Sequence, residues 1–152
     1  MNKHFASLQK ILPQHAISRL VGKLARSQNP RISKLFIEQF ARIYDISLAE
    51  AERKNFADYT SFNEFFTRSL DTHARPMPTA VNEIASPVDG CISQLGNISN
   101  DQLFQAKGQR YSLRSLAGVA GQGFEGGDFC TIYLAPSDYH RIHLPYTGTL
   151  TQ

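Results

Sequence analysis

An α+β fold, with helices first and antiparallel strands after, is what this 152-residue sequence predicts. Two observations carry that reading. Up to about residue 70, apolar side chains recur at three- and four-residue steps, the period of a helix with one buried face. After Arg75-Pro76-Met77-Pro78 the pattern changes to short strand-like runs parted by turn dipeptides. A third observation concerns charge. Seven of the sixteen basic residues (Lys3, Lys10, Arg19, Lys23, Arg26, Arg31, Lys34) precede residue 35 without one acid, leaving nine against thirteen acids beyond it, a net of −4. That asymmetry directs the N-terminal part toward an anionic partner, a membrane surface or nucleic acid.

The composition suits one domain or a domain with an appendage: 41% hydrophobic and 19% charged, which excludes low-complexity disorder and collagen-like chains. No run reaches the roughly 18 apolar residues of a transmembrane helix. Gln9, Lys10, Pro13, Gln14 and His15 interrupt any signal-peptide core. Cys91 and Cys130 are too few and too distant for a disulfide scaffold or a zinc site; they are expected to be buried as small hydrophobes in a reducing compartment.

The first helix is expected over residues 5–26, from Phe5, Leu8, Ile11 and Leu12 and then Ile17, Leu20, Val21 and Leu24, split or kinked at Pro13. Lys10, Arg19, Lys23 and Arg26 fall between the apolar positions. Such a helix either lies in a membrane interface or packs on the protein with a solvated basic face. A second helix fits Pro30–Tyr44, with Ile32, Leu35, Phe36, Ile37, Phe40 and Ile43 on its apolar side. Ser47 with Glu50 three residues on reads as a capping box opening a short helix. Ser61–Arg68 reads as another, with Phe62, Phe65 and Phe66 as its aromatic face.

Strands are expected at Gly90–Leu95, Leu103–Ala106, Phe129–Leu134 and Gly148–Thr151, with one helical turn over Ser112–Ala117. The last strand runs to the end of the sequence, so the sheet is expected to be unfinished, with an open hydrogen-bonding edge and poor solubility alone.

Gly121-Gln122-Gly123-Phe124-Glu125-Gly126 spells G-x-G-x-x-G, but a strand rather than a helix follows it, so no helix N-terminus awaits a pyrophosphate. His140 and His143 carry more chemistry. Their spacing admits a shared metal, a structural pair, or proton transfer by imidazoles that titrate near neutrality. Metal is the weakest of these, because no complete ligand set accompanies them. Asp89 in Ser86-Pro87-Val88-Asp89-Gly90 is either a turn residue or a carboxylate that orients a histidine. Spacing alone does not decide whether Asp89 and His143 meet.

Phe62-Asn63-Glu64-Phe65-Phe66-Thr67-Arg68 with Arg75-Pro76 is similar to the F-x-E-F-F-x-R…R-P segment of the phosphatidylserine decarboxylases. Ser86-Pro87-Val88-Asp89-Gly90 resembles that family's P-x-D-G segment. Gln105-Ala106-Lys107-Gly108 with Tyr111-Ser112-Leu113 resembles Q-x-K-G-x-x-Y-S-L, and Tyr139-His140-Arg141-Ile142-His143-Leu144-Pro145 resembles Y-H-R-x-H-x-P. The order is the family's, and the likeness runs over nearly the whole chain.

The resemblance implies a pyruvoyl enzyme, a carbon–carbon lyase. A precursor cuts itself before an internal serine, which becomes a pyruvoyl group; a Schiff base on that group then carries phosphatidylserine to phosphatidylethanolamine and CO2. Asp89 and His143 match the self-cleavage charge relay, and His140 matches the histidine of the decarboxylation step. The serine of the family's L-G-S-T motif has no match, since no Gly-Ser dipeptide occurs in these 152 residues. No residue here is therefore expected to bear the cofactor, and none to hold a metal.

The resemblance thus implies the N-terminal part of a proenzyme, inactive alone, in two regions. Residues 1–70 form a helical, basic, membrane-associating region. Residues 71–152 form the first part of an incomplete antiparallel β-rich catalytic domain. Its implied partners are an anionic phospholipid membrane, phosphatidylserine and a C-terminal pyruvoyl-bearing chain, with no nucleic acid. The implied place is the cytoplasmic face of the bacterial inner membrane. The competing expectation is a non-catalytic membrane-lipid-binding fragment, in which Asp89, His140 and His143 are structural.

Overall fold

A computed structural model describes residues 13–80, 82–99, 102–105, 109–118 and 123–149. The chain separates into two compact units, Met1–Thr79 and Ala80–Gln152.

In the first unit, helix α1 spans Gln14–Ala25 and α2 spans Pro30–Ile43. Pro13 lies just ahead of α1, and its carbonyl accepts the first helical bonds, from the N–H groups of Ala16 and Ile17. It thus marks the start of the described helix rather than a kink within it, and the expected Phe5–Leu12 portion falls outside the described residues. A proline there costs nothing, because the first turn leaves its N–H groups unpaired anyway. Ile17, Leu20 and Val21 all stay exposed on α1.

Helix α2 follows its sequence signals closely. Asn29 Oδ1 accepts from the N–H groups of Arg31 and Ile32, and Pro30 takes the first helical position. At the other end Asp45 adopts the left-handed conformation (φ 50°), and Ile46 N–H returns to the Ala41 carbonyl at 2.9 Å. That six-to-one bond ends the helix and turns Ile46 into the core.

The core of this unit joins Ile37 and Ala41 of α2 to Ile46, Leu48, Ala51, Tyr59 and Phe65. Helix α3, Phe62–Phe66, supplies the expected aromatic face, capped by Ser61 Oγ accepting from Glu64 N–H. Phe65 is wholly buried between Phe56 and Tyr59. Phe62 meets Phe40 edge-on at 4.9 Å and stacks on Phe66. The helix expected after Ser47 is absent. Ser47 Oγ accepts Ala49 N–H in a tight turn, and Ala51 pairs with Leu70 in an antiparallel bridge. That bridge needs extended backbone where a helix would have continued, and Glu50 takes Arg75 as an ion-pair partner at 2.9 Å.

Glu64 anchors the return of the chain. Its carboxylate accepts from the N–H and hydroxyl of Thr60 and pairs with Arg53. These contacts, the Thr60 N–H foremost, hold its carboxyl below the usual glutamate range.

The second unit holds two antiparallel pairs among the described residues. Strand β1, Cys91–Asn97, pairs with β4, Asp128–Tyr133, while β2, Gln102–Gln105, pairs with β3, Gln109–Ser112. The β1–β4 register runs Cys91↔Tyr133 to Asn97↔Asp128, with an irregularity between Ile92 and Gln94. Ser93 sits at that bulge, and its hydroxyl donates to the Thr131 carbonyl. A short helix α4, Leu113–Ala117, is capped by Ser112.

Three differences from expectation fall in this unit. Strand β3 was not foreseen, because its polar Gln-Arg-Tyr-Ser lacks apolar alternation and is held by pairing with β2. Gly148 and Thr149 lie in no strand, and the rest of that expected strand falls outside the described residues. Cys91 and Cys130, expected buried, are both exposed free thiols. The two-stranded pairs leave much of their surface uncovered, so an apolar residue type does not become a buried one. Ahead of β4, Phe124–Gly127 close a tight turn with Gly126 at φ 78°, so the glycine motif leads into a strand.

Candidate functional site

The candidate site belongs to the second unit and is assembled from two loops. The first, Ala85–Gly90, leads into β1. Ser86 Oγ donates to the Val88 carbonyl at 2.7 Å and closes the turn before Asp89. Gly90 is required by close approach: a Cβ there would lie 2.6 Å from the Tyr133 carbonyl oxygen and 2.9 Å from Ile132 Cγ2. Any other residue would push the Asp89 loop off β4.

The second loop leaves β4. Asp138 Oδ2 accepts Ala135 N–H at 2.7 Å, while Asp138 N–H donates to the Ala135 carbonyl, so a small closed turn redirects the chain. Tyr139 then enters the interior of the unit with 8% exposure. His140 is half-buried, and its Nδ1–H donates to the Asp138 carbonyl at 2.9 Å. A carbonyl can only accept, so this bond puts the ring proton on Nδ1 and makes Nε2 the basic nitrogen of the neutral ring.

Two backbone bonds join the loops. His143 N–H donates to the Pro87 carbonyl at 2.8 Å, and Ala85 N–H donates to the Pro145 carbonyl at 3.0 Å. The P-V-D-G and Y-H-R-I-H segments, separate in sequence, are thereby clamped side by side, with Asp89 two residues from the Pro87 acceptor. Asp89 is half-buried, and His143 is exposed. The His143 ring stacks on Tyr139 at 5.5 Å and 20°, with its Nε2 2.9 Å from the Tyr139 hydroxyl.

Sequence reading singled out Asp89, His140 and His143 but gave no role to Tyr139 or Gly90. For Gly90 the only signal was a turn dipeptide. For Tyr139 it was a four-residue spacing to His143, which means little outside a helix. Among the described residues no group of three or more His, Cys, Asp or Glu is placed to hold a metal ion.

Comparison with known proteins agrees with the motif reading. A family model described as phosphatidylserine decarboxylase matches residues 62–152, and one described as PSD matches residues 4–45. A phosphatidylserine decarboxylase proenzyme of Pseudoalteromonas atlantica is 51% identical over 148 residues, covering 95% of this chain and 52% of the relative. Those of Alcanivorax borkumensis and Psychrobacter cryohalolentis are 49% and 47% identical, covering 99% and 97% of this chain and 53% and 54% of themselves. The chain spans about half the length of the curated relatives it matches. With more than half of its residues matched by the family model, including both loops of the site, the chain belongs to the phosphatidylserine decarboxylase family.

Proposed function

We propose that this chain supplies the histidine-bearing part of a phosphatidylserine decarboxylase. Its overall reaction is loss of CO2 from phosphatidylserine to leave phosphatidylethanolamine. The carrying observation is the backbone clamp from His143 to Pro87, which sets the Asp89 loop beside the histidine. In this reading His143 Nε2 takes the proton of an incoming serine hydroxyl during self-cleavage, and Asp89 steadies the imidazolium that results. The serine comes from a segment outside these 152 residues, as does the chain that carries the pyruvoyl group.

His143 fits that task chemically: its Nε2 already engages a hydroxyl at hydrogen-bond distance. The pyruvoyl group, once formed, supplies the electron sink for decarboxylation. His140, with Nδ1–H tied to the Asp138 carbonyl, presents Nε2 as the atom that exchanges a proton with substrate. Exposed Ile92, Leu95, Tyr133, Ile142, Leu144 and Tyr146 support a partner chain that covers this unit.

The same reading lays the helical unit on anionic phospholipid at the cytoplasmic face of the inner membrane. Support comes from α1, where exposed Ile17, Leu20 and Val21 alternate with Arg19, Lys23 and Arg26. Each basic residue near an anionic surface contributes about 1 kcal/mol. Among the described residues no helix is long and apolar enough to cross a membrane; the reading is of an interfacial contact. Sedimentation with phosphatidylglycerol-containing vesicles should carry the chain down at low salt and lose it with Leu20→Ser; no difference from pure phosphatidylcholine would refute this placement.

The deciding experiment is co-expression with the C-terminal half of the Pseudoalteromonas atlantica relative. Cleavage of that half and CO2 release from phosphatidylserine are expected, both abolished by His143→Ala. This chain alone should release none. Stable association with an uncleaved half would overturn the assignment.

A further inference from the structure

We infer that Tyr139 is the positioning residue for His143, and that its hydroxyl occupies the seat the nucleophile's hydroxyl must later take. Residues 141–144 have no regular structure and are all exposed, so their own segment gives the His143 ring little to rest on. Tyr139, by contrast, is buried at 8% exposure and fixed within its unit. It meets His143 twice, by a near-parallel ring contact at 5.5 Å and by the hydroxyl at 2.9 Å from Nε2. An exposed side chain on an irregular segment is thereby referred to a buried anchor.

The chemistry of the pair orients the proton. A phenol O–H is a better donor than the N–H of a neutral imidazole, so the Tyr139 hydroxyl donates into the Nε2 lone pair and the ring proton sits on Nδ1. That is the tautomer a base needs when it accepts a proton at Nε2 and offers Nδ1–H to a carboxylate. Replacing the phenol by an incoming hydroxyl exchanges one O–H···N bond for another at Nε2, so the imidazole acceptor stays engaged while the Tyr139 hydroxyl is released from it. The geometry stands apart from the enzymatic reading; the consequence for self-cleavage rests on it.

The test uses this 152-residue chain with 15N-labelled histidine at about pH 8, above the ordinary imidazole range. His143 is assigned by the signal lost in His143→Gln. Its Nε2 should appear as an unprotonated, hydrogen-bonded nitrogen in the unmodified chain. Tyr139→Phe should move the Nε2 resonance and mix the tautomers while keeping the ring-current shift of the carbon-bound protons; Tyr139→Leu should remove both. A proton on Nε2 in the unmodified chain, which requires no variant to fold, overturns the inference, as does an Nε2 signal indifferent to Tyr139→Phe.

In the co-expressed pair, Tyr139→Phe should slow self-cleavage roughly tenfold or more, the scale on which misplaced groups act. If His143→Ala abolishes cleavage and Tyr139→Phe leaves the rate unchanged, the positioning role is wrong. If His143→Ala cleaves normally, the enzymatic reading fails, while the nitrogen spectrum still decides the role of Tyr139.

Discussion

The two units differ in how completely they bury what they contain. The helical unit folds seven buried apolar residues and a ring of phenylalanines around Phe65 and Ile37, which are 0% and 1% exposed. In the β-rich unit only Ile98, Leu113 and Tyr139 are buried hydrophobics among the described residues, and large side chains, Phe124 and Tyr146 among them, face outward. One region is held by its own core. The other is held by hydrogen-bonded turns and strand pairs, and the candidate side chains Asp89, His140 and His143 lie on or beside those turns. Burial carries stability in the first case, and backbone bonding carries geometry in the second.

That contrast can be broken most sharply at Phe65. Truncation to Ala at this fully buried site should cost about 3–5 kcal/mol. Helical circular dichroism followed through urea should show the midpoint fall steeply, while labelled-histidine signals from His140 and His143 stay in place. If both units collapse together, the separation drawn here is wrong.

Gly90→Ala tests the other side. The added methyl group meets backbone at 2.6 Å, which the loop can relieve only by moving, at a cost of about 1–3 kcal/mol. Self-cleavage in the co-expressed pair should drop with it, and the helical unit should melt unchanged. Gly123→Ala, with nothing within 4 Å, is the matched control and should alter stability by less than about 0.5 kcal/mol.

A smaller effect is expected at Glu64, whose carboxyl is held low by Thr60 and Arg53. Near the ordinary glutamate range of about pH 4.3, the unfolded chain binds a proton that the folded chain does not, so stability rises with pH through this window. The contribution is present above that range and is lost as pH falls through the lowered folded value. Glu64→Gln should flatten the dependence and cost about 1 kcal/mol or less at neutral pH, because the ion pair is largely solvated. An unchanged pH profile in the variant would remove Glu64 from the account.

Local signals were legible where local physics decides. The start of α2 was marked by Pro30 at its first position, and the aromatic spacing of Phe62, Phe65 and Phe66 predicted the face that α3 buries. The same logic failed after Ser47, where a three-residue capping pattern competes with a bridge to Leu70, a partner that no local window contains. It failed again for β3, whose polar residues are extended only because β2 lies beside them.

The sequence by itself determined the helical first half, the change to strands beyond the proline-rich segment, and the family, since motif residues keep their order whatever the fold does with them. Tertiary structure alone decided that Cys91 and Cys130 face outward, that Gly90 must lack a side chain, and that His143 bonds to Pro87 and turns its ring to Tyr139. The physical reason is range. Helix periods and caps act over four residues, whereas Asp89 and His143 stand more than fifty residues apart, and their loops meet only because strand pairing brings the entry to β1 beside the exit from β4.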